Sequence, residues 1–193
     1  MTHNVEAVID IYRIRLDQPA TSGCVDAVLH AILAARLGRP PQTAIGPHGK
    51  PFLTSGDLEF NVSHSGALAL IAVSEAGPIG VDVEQHHALH DPAAFARRFF
   101  TVDEAAGVGG DPVALFRLWC RKEAWLKARG VGLVLPLDRV DVREAPPGWL
   151  LADLDVAPGY SAAVAREGAP AEIRLIDDSV RSGEVAISRK ISR

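Results

Sequence analysis

The chain has 193 residues, 48% hydrophobic and 23% charged, and its 20 basic and 24 acidic side chains give a formal net charge of −4. This is the composition of an ordinary folded protein, and it excludes disorder, collagen-like repeats and coiled coils as overall descriptions. The mild acidic excess argues against wholesale binding to nucleic acid or anionic membrane, so any site for a polyanion must be local.

The longest apolar stretch, residues 67–73, is far shorter than the roughly 20 residues that cross a bilayer. The first residues have neither the basic region nor the apolar run of a secretory signal. Cys24 and Cys120 are widely separated and form no CxxC pair, which fits a reducing compartment. A cytoplasmic protein is expected.

In chain order, residues 8–16 mix Ile, Tyr and Val with Arg at alternate places and predict an opening strand ended by Asp17-Gln18-Pro19. Over residues 26–37, Val25, Val28, Leu29, Ile32, Leu33 and Leu37 recur at helical spacing, and Gly38 and Pro40-Pro41 stop the helix. A loop carrying Gly49-Lys50-Pro51 follows. Residues 60–62 and 68–73 read as strands flanking a polar turn, Ser63-His64-Ser65-Gly66, with a third strand at 79–83. The second half has a helical pattern at 93–100, a Gly-rich turn at 107–110 and a strong helix at 113–129 capped by Gly130 and Gly132. Strand-like segments follow at 140–142, 149–154, 160–165 and 173–176. Helix followed by strands, twice, predicts an α/β (α+β) fold of two similar halves, residues 1–80 and 81–178, with a loose polar tail over 179–193.

The 113–129 helix is the most informative segment. At about 100° per residue, Leu115, Phe116, Leu118, Trp119 and Leu126 form an apolar arc about 160° wide, with Arg117, Arg121, Ala124 and Ala128 opposite, in water. Yet Lys122 and Glu123 fall inside the arc and Lys127 lies at its edge. A solvated Glu123–Lys127 pair at i,i+4 would contribute only about 0.2–0.5 kcal/mol, and that reading puts the pair on the wrong side. Inward charges need a ligand, a metal or a polar cleft to offset their desolvation.

Gly80-Val81-Asp82-Val83-Glu84 ends the third strand, so alternation places Asp82 and Glu84 on one face, about 6.5–7 Å apart at the backbone. Two carboxylates on one face repel unless a cation or solvent separates them. Alone the pair reads as a solvated strand edge. With an inward Glu123 as third ligand, the set suits a hard divalent ion such as Mg²⁺.

Gly49-Lys50-Pro51, Phe60-Asn61-Val62-Ser63-His64-Ser65, Gly80-Val81-Asp82-Val83-Glu84 and Trp119-Cys120-Arg121-Lys122-Glu123-Ala124-Trp125-Leu126-Lys127 through Gly130 occur in this order. Together they resemble the motifs of the Sfp-like 4′-phosphopantetheinyl transferases. The resemblance implies two α/β subdomains related by a pseudo-twofold axis, with coenzyme A in the cleft between them. It implies that a serine of an apo acyl or peptidyl carrier protein attacks the coenzyme A pyrophosphate, takes the phosphopantetheine arm and releases adenosine 3′,5′-bisphosphate. By the same carry-over Asp82, Glu84 and Glu123 would hold Mg²⁺ and Lys127 would stabilise the pyrophosphate oxygens. Glu123, or Glu104 through water, would accept the serine proton, while Lys50, Ser63, His64 and Lys127 would contact coenzyme A. Between Pro19 and Asp26 the chain lacks the helical stretch and basic run usual in this family, leaving Arg36 as a substitute partner for the 3′-phosphate.

His86, His87 and His90 lack the companions of a zinc site and read as a solvated loop. Residues 93–130 carry a formal charge of +3 against −7 for the remainder. That basic island, with Arg97 and Arg98 and with Phe99 and Phe100 as anchors, would suit an acidic carrier protein. A monomer that binds neither nucleic acid nor membrane is expected. The competing reading is a non-catalytic coenzyme A or nucleotide-binding module.

Overall fold

The computed structural model describes residues 7–16, 22–132, 135–180 and 190–191. β1 (Ala7–Leu16) lies in a five-stranded sheet between β9 (Ala171–Val180), to which it is parallel, and β5 (Leu68–Ser74), to which it is antiparallel; β4 (Glu59–Ser65) pairs with β5, and β10 (Lys190–Ile191) with β9. All seven residues of β5 are buried, which explains its unbroken apolar run. Ala69, Ile71 and Val73 face the core covered by α1 (Ser22–Leu37), while Leu68, Leu70 and Ala72 face the second sheet. That sheet has the antiparallel order β6 (Ile79–Gln85), β8 (Tyr160–Glu167), β7 (Trp149–Asp153). A short hairpin, β2 (Thr43–Ile45) and β3 (Pro51–Leu53), carries the Lys50 loop at its tip. The chain is therefore of the α/β class.

Helices α2 (Pro92–Phe99) and α3 (Val102–Val108) lead into α4 (Pro112–Arg129). The Asp111 side chain accepts the Val113 N–H at the start of α4, and Gly130, at φ 65°, ends the helix in the left-handed region. α4 lies across β6 and β8. Val81 and Val83 point away from it into the core shared with β5, whereas Gly80, Asp82 and Glu84, two residues apart, turn toward it.

Several expectations are corrected. Ser63, His64 and Ser65 lie in strand β4, and the turn is Gly66-Ala67. Residues 140–142 form no strand: Val142 is buried and its N–H is held by a side chain, as described below. Of the four α4 residues assigned to water, Arg117 is exposed, but Ala124 at 0%, Ala128 at 2% and Arg121 at 8% exposure are buried. Polarity predicted that face, but size decides it, because small residues let a helix backbone approach a sheet. The 80/81 boundary falls inside β6, and β9 carries the C-terminal part of the chain back to β1. Of the expected loose tail, residues 179–180 and 190–191 belong to strands and the rest lies outside the described residues.

Gly80 is where the approach is tightest. A Cβ there would lie within the van der Waals envelope of the Ala124 carbonyl oxygen and the Ala128 amide nitrogen, and 3.0 Å from the Lys127 carbonyl carbon. These are backbone atoms and cannot step aside. Gly80→Ala is expected to move α4 off β6 and to cost about 1–3 kcal/mol or more, read as a lower urea midpoint.

Candidate active site

The inward positions of β6 and α4 meet beside the C-terminal end of the helix. Lys127 Nζ lies 2.6 Å from Asp82 Oδ1 and 3.1 Å from Ser63 Oγ, and donates to the Val81 carbonyl at 3.3 Å. Asp82 is only 4% exposed, and its Oδ2 is buried with no hydrogen-bond partner. An unpartnered buried carboxylate oxygen is costly, and a cation is the natural way to satisfy it. Glu84, half-buried, is held through one oxygen by Ser65 Oγ at 2.9 Å.

Glu123 lies one helical turn before Lys127. Burial, then the charge of Asp82 and, less strongly, of Glu84, push its carboxyl up to about 7, against the opposing pull of Lys127. The three acids thus share one electrostatic field, although among the described residues no three His, Cys, Asp or Glu side chains are gathered tightly enough to hold a metal ion. Cys120, a free and fully buried thiol, donates to the Ser161 carbonyl at 3.2 Å and is pushed up by burial and by Asp82.

The raised Glu123 has a consequence for stability. The unfolded carboxyl titrates near 4.5 and the folded one near 7, so the folded state holds more protons between these values and its stability falls as pH rises across that window. Without divalent ions, Glu123→Gln is expected to raise the melting temperature by a few degrees at pH 8. The gain should vanish below pH 4.5, and a thermal-melt pH series checks it.

Glu123 and Lys127 open onto a cleft of about 250 Å³ whose other walls include His48, Lys50, Asn61 and Gly130. Lys50 Nζ donates to the carbonyls of Ile79 at 2.9 Å and Lys127 at 2.8 Å, the latter also accepting the Gly130 N–H at the end of α4. Desolvation lowers its pKa. One ammonium hydrogen is left for the cleft.

The structure brings Asp82, Glu84, Glu123, Lys127 and Ser63 together, with Lys50 on the cleft wall. It does not bring Glu104. That carboxylate is fully buried, accepting from Thr101 N–H at 2.8 Å and from Lys122 Nζ at 2.7 Å through Oε2, and from Val142 N–H at 2.8 Å through Oε1. Three donors hold its two oxygens in the interior between α3, α4 and the segment around Val142, away from the Asp82–Lys127 pair. Ser63, expected to contact coenzyme A, is 7% exposed and its hydroxyl donates to Asp82 Oδ1. His64 is exposed on the opposite face of β4. Arg36 is not free for a phosphate, being paired with Asp10 and Glu75. His86 is no solvated loop residue, since it stacks on Phe116 and hydrogen-bonds Ser161 Oγ at 2.8 Å.

Sequence reasoning missed Asn61, Ser65 and Gly80. The signal was present in the two-residue period that Asn61, Ser63 and Ser65 share with Gly80, Asp82 and Glu84.

A profile named ACPS and described as the 4′-phosphopantetheinyl transferase superfamily matches residues 78–166, from β6 to β8. The chain is 34% identical over 162 residues to the 4′-phosphopantetheinyl transferase HetI of Nostoc sp., covering 73% of this chain and 68% of that protein. It is 32% identical over 149 residues to the 4′-phosphopantetheinyl transferase Sfp of Bacillus subtilis (67% and 65%), and 32% over 105 residues to AcpT of Salmonella typhi (51% and 55%). The chain belongs to the 4′-phosphopantetheinyl transferase superfamily. The matched regions span between about half and two thirds of these relatives' own lengths.

Proposed function

We propose that the protein moves the 4′-phosphopantetheine arm of coenzyme A onto a serine of an apo acyl or peptidyl carrier protein, releasing adenosine 3′,5′-bisphosphate. The observation that carries this reading is the junction of β6 and α4, where Asp82 and Lys127 meet at 2.6 Å beside the orphaned Asp82 Oδ2, at the edge of the cleft that Glu123 lines. An all-oxygen donor set of Asp82, Glu84 and Glu123 suits Mg²⁺. When bound, Mg²⁺ would neutralise pyrophosphate charge as the phosphoryl group transfers.

The chain's own groups divide the remaining work. Lys127 offers an ammonium to the phosphate oxygens, and Lys50 can direct its remaining N–H into the same cleft. As the serine oxygen bonds to phosphorus and the bond to the nucleotide phosphate breaks, the serine proton passes to Glu123, whose side chain lines the cleft. His64 is the further candidate for the nucleotide end.

For the carrier, Arg97 and Arg98 are exposed on α2 and offer positive charge to an acidic partner. Phe100, 3% exposed, belongs to the core and is no anchor, whereas Phe99 is only partly buried, against Phe95 and Trp119. Reversing Arg97 and Arg98 to Glu is expected to slow carrier turnover several-fold at low salt and much less at high salt. We place the protein in the cytoplasm as a monomer. Its two cysteines are free, and among the described residues no helix is long and apolar enough to cross a membrane.

Incubation with coenzyme A, Mg²⁺ and a panel of apo carriers should add the phosphopantetheine mass to at least one of them. Calorimetric binding of coenzyme A with no mass added to any carrier would instead support the binding-module reading.

A further inference from the structure

Strand β4 meets β6 without a backbone ladder. Side chains of β4 take the place of strand carbonyls: Asn61 Oδ1 accepts Val81 N–H at 2.9 Å, Ser63 Oγ accepts Val83 N–H at 3.3 Å and Ser65 Oγ accepts Gln85 N–H at 3.0 Å. The offset of 20 residues repeats at each step, so the three side chains form a parallel row with a period of two on both strands. At two steps the row does more. Ser63 donates its hydroxyl hydrogen to Asp82 Oδ1 and Ser65 donates its own to Glu84 Oε2, each at 2.9 Å. Where the same step falls on Gly80 there is no carboxylate, and there the row has an amide rather than a hydroxyl.

Each serine therefore makes a two-point clamp, holding the backbone of β6 by an accepted N–H and the preceding carboxylate by a donated O–H. The clamp fixes one oxygen of each acid and leaves Asp82 Oδ2 without a protein partner. We propose that Ser63 and Ser65 are positioning residues for the two carboxylates of β6, orienting Asp82 and Glu84 to present one free oxygen each toward a divalent cation. This rests on the Mg²⁺ reading above and gives both serines a role other than contact with coenzyme A. Hydroxyls that orient metal-binding carboxylates typically change metal affinity 10–100-fold when removed.

The test uses Mn²⁺ as the probe, with free ion counted by electron paramagnetic resonance in the presence of equimolar coenzyme A. Ser63→Ala and Ser65→Ala are each expected to weaken Mn²⁺ binding at least ~10-fold, while coenzyme A affinity measured by calorimetry in EDTA stays within about twofold of wild type. Ser65→Thr, which keeps the hydroxyl on a residue suited to a strand, should restore Mn²⁺ binding, a recovery that a purely structural loss would not give. Wild-type and Ala variants binding Mn²⁺ equally would overturn the assignment while leaving the metal reading intact. A loss confined to coenzyme A affinity in EDTA would overturn it in favour of direct coenzyme contact. Wild-type protein that binds no Mn²⁺ would remove the metal reading and this assignment together.

Discussion

Asp82→Ala is expected to lower the rate of phosphopantetheine transfer at least ~100-fold, the scale of losing one preorganised charge contact at a transferring phosphoryl group. Its Oδ1 holds both Lys127 Nζ and Ser63 Oγ, and its Oδ2 is the buried oxygen left for a cation. Removing the side chain frees the Lys127 ammonium and, on the proposed Mg²⁺ reading, deletes a cation ligand at once. Asp82→Asn keeps the volume and one acceptor oxygen but not the charge, so it should still lose most of the rate while melting close to wild type. Initial rates by intact-carrier mass, with thermal melts alongside, separate chemistry from folding; either variant turning over normally would remove Asp82 from the mechanism.

The largest stability effect is expected one helical position before Glu123. Lys122 and Glu104 are both fully buried, and Lys122 Nζ donates to the carbonyls of Leu137 at 2.8 Å and Val140 at 2.6 Å as well as to Glu104 at 2.7 Å. Burial lowers the Lys122 pKa, with Glu104 opposing the shift. Lys122→Ala would leave the buried Glu104 carboxylate without its counter-charge and take a donor from the Leu137 and Val140 carbonyls, a loss of about 3–5 kcal/mol. This is a large fraction of the ~5–15 kcal/mol that holds a domain together, so urea unfolding should show a sharply lowered midpoint. A buried pair replaced on both sides by apolar groups can be neutral, but here Glu104 also holds the N–H groups of Thr101 and Val142. The double variant Lys122→Met with Glu104→Leu should therefore stay destabilised, and full recovery would show that the carboxylate is not the staple for those segments.

The strands and the long helix were legible because each is declared locally. β5 is a continuous apolar run, and α4 has Asp111 and Pro112 at its start and Gly130 at its end. Inward Lys122, Glu123 and Lys127 were legible from the helical period, because a charge placed within an apolar arc needs a reason wherever the helix packs. The far face of α4 was not: Ala124 and Ala128 look neutral on a helical wheel, and only the backbone of β6 at Gly80 turns their small size into a close contact. The β4 serines were misread for a similar reason. Ser and Gly favour turns by local chemistry, and here the Ser63 and Ser65 hydroxyls are claimed by β6, 20 residues further on. Glu104 was placed near the reaction by its motif alone, whereas its capping box with Thr101 turns it into the protein interior.

The most direct measurement is the anomalous scattering of Mn²⁺ in crystals of the protein grown with coenzyme A. One peak bonded to oxygens of Asp82, Glu84 and Glu123, against the coenzyme pyrophosphate, is the result expected. Coenzyme A seated in the cleft while Lys127 remains on Asp82 and no ion lies among the three acids would contradict it.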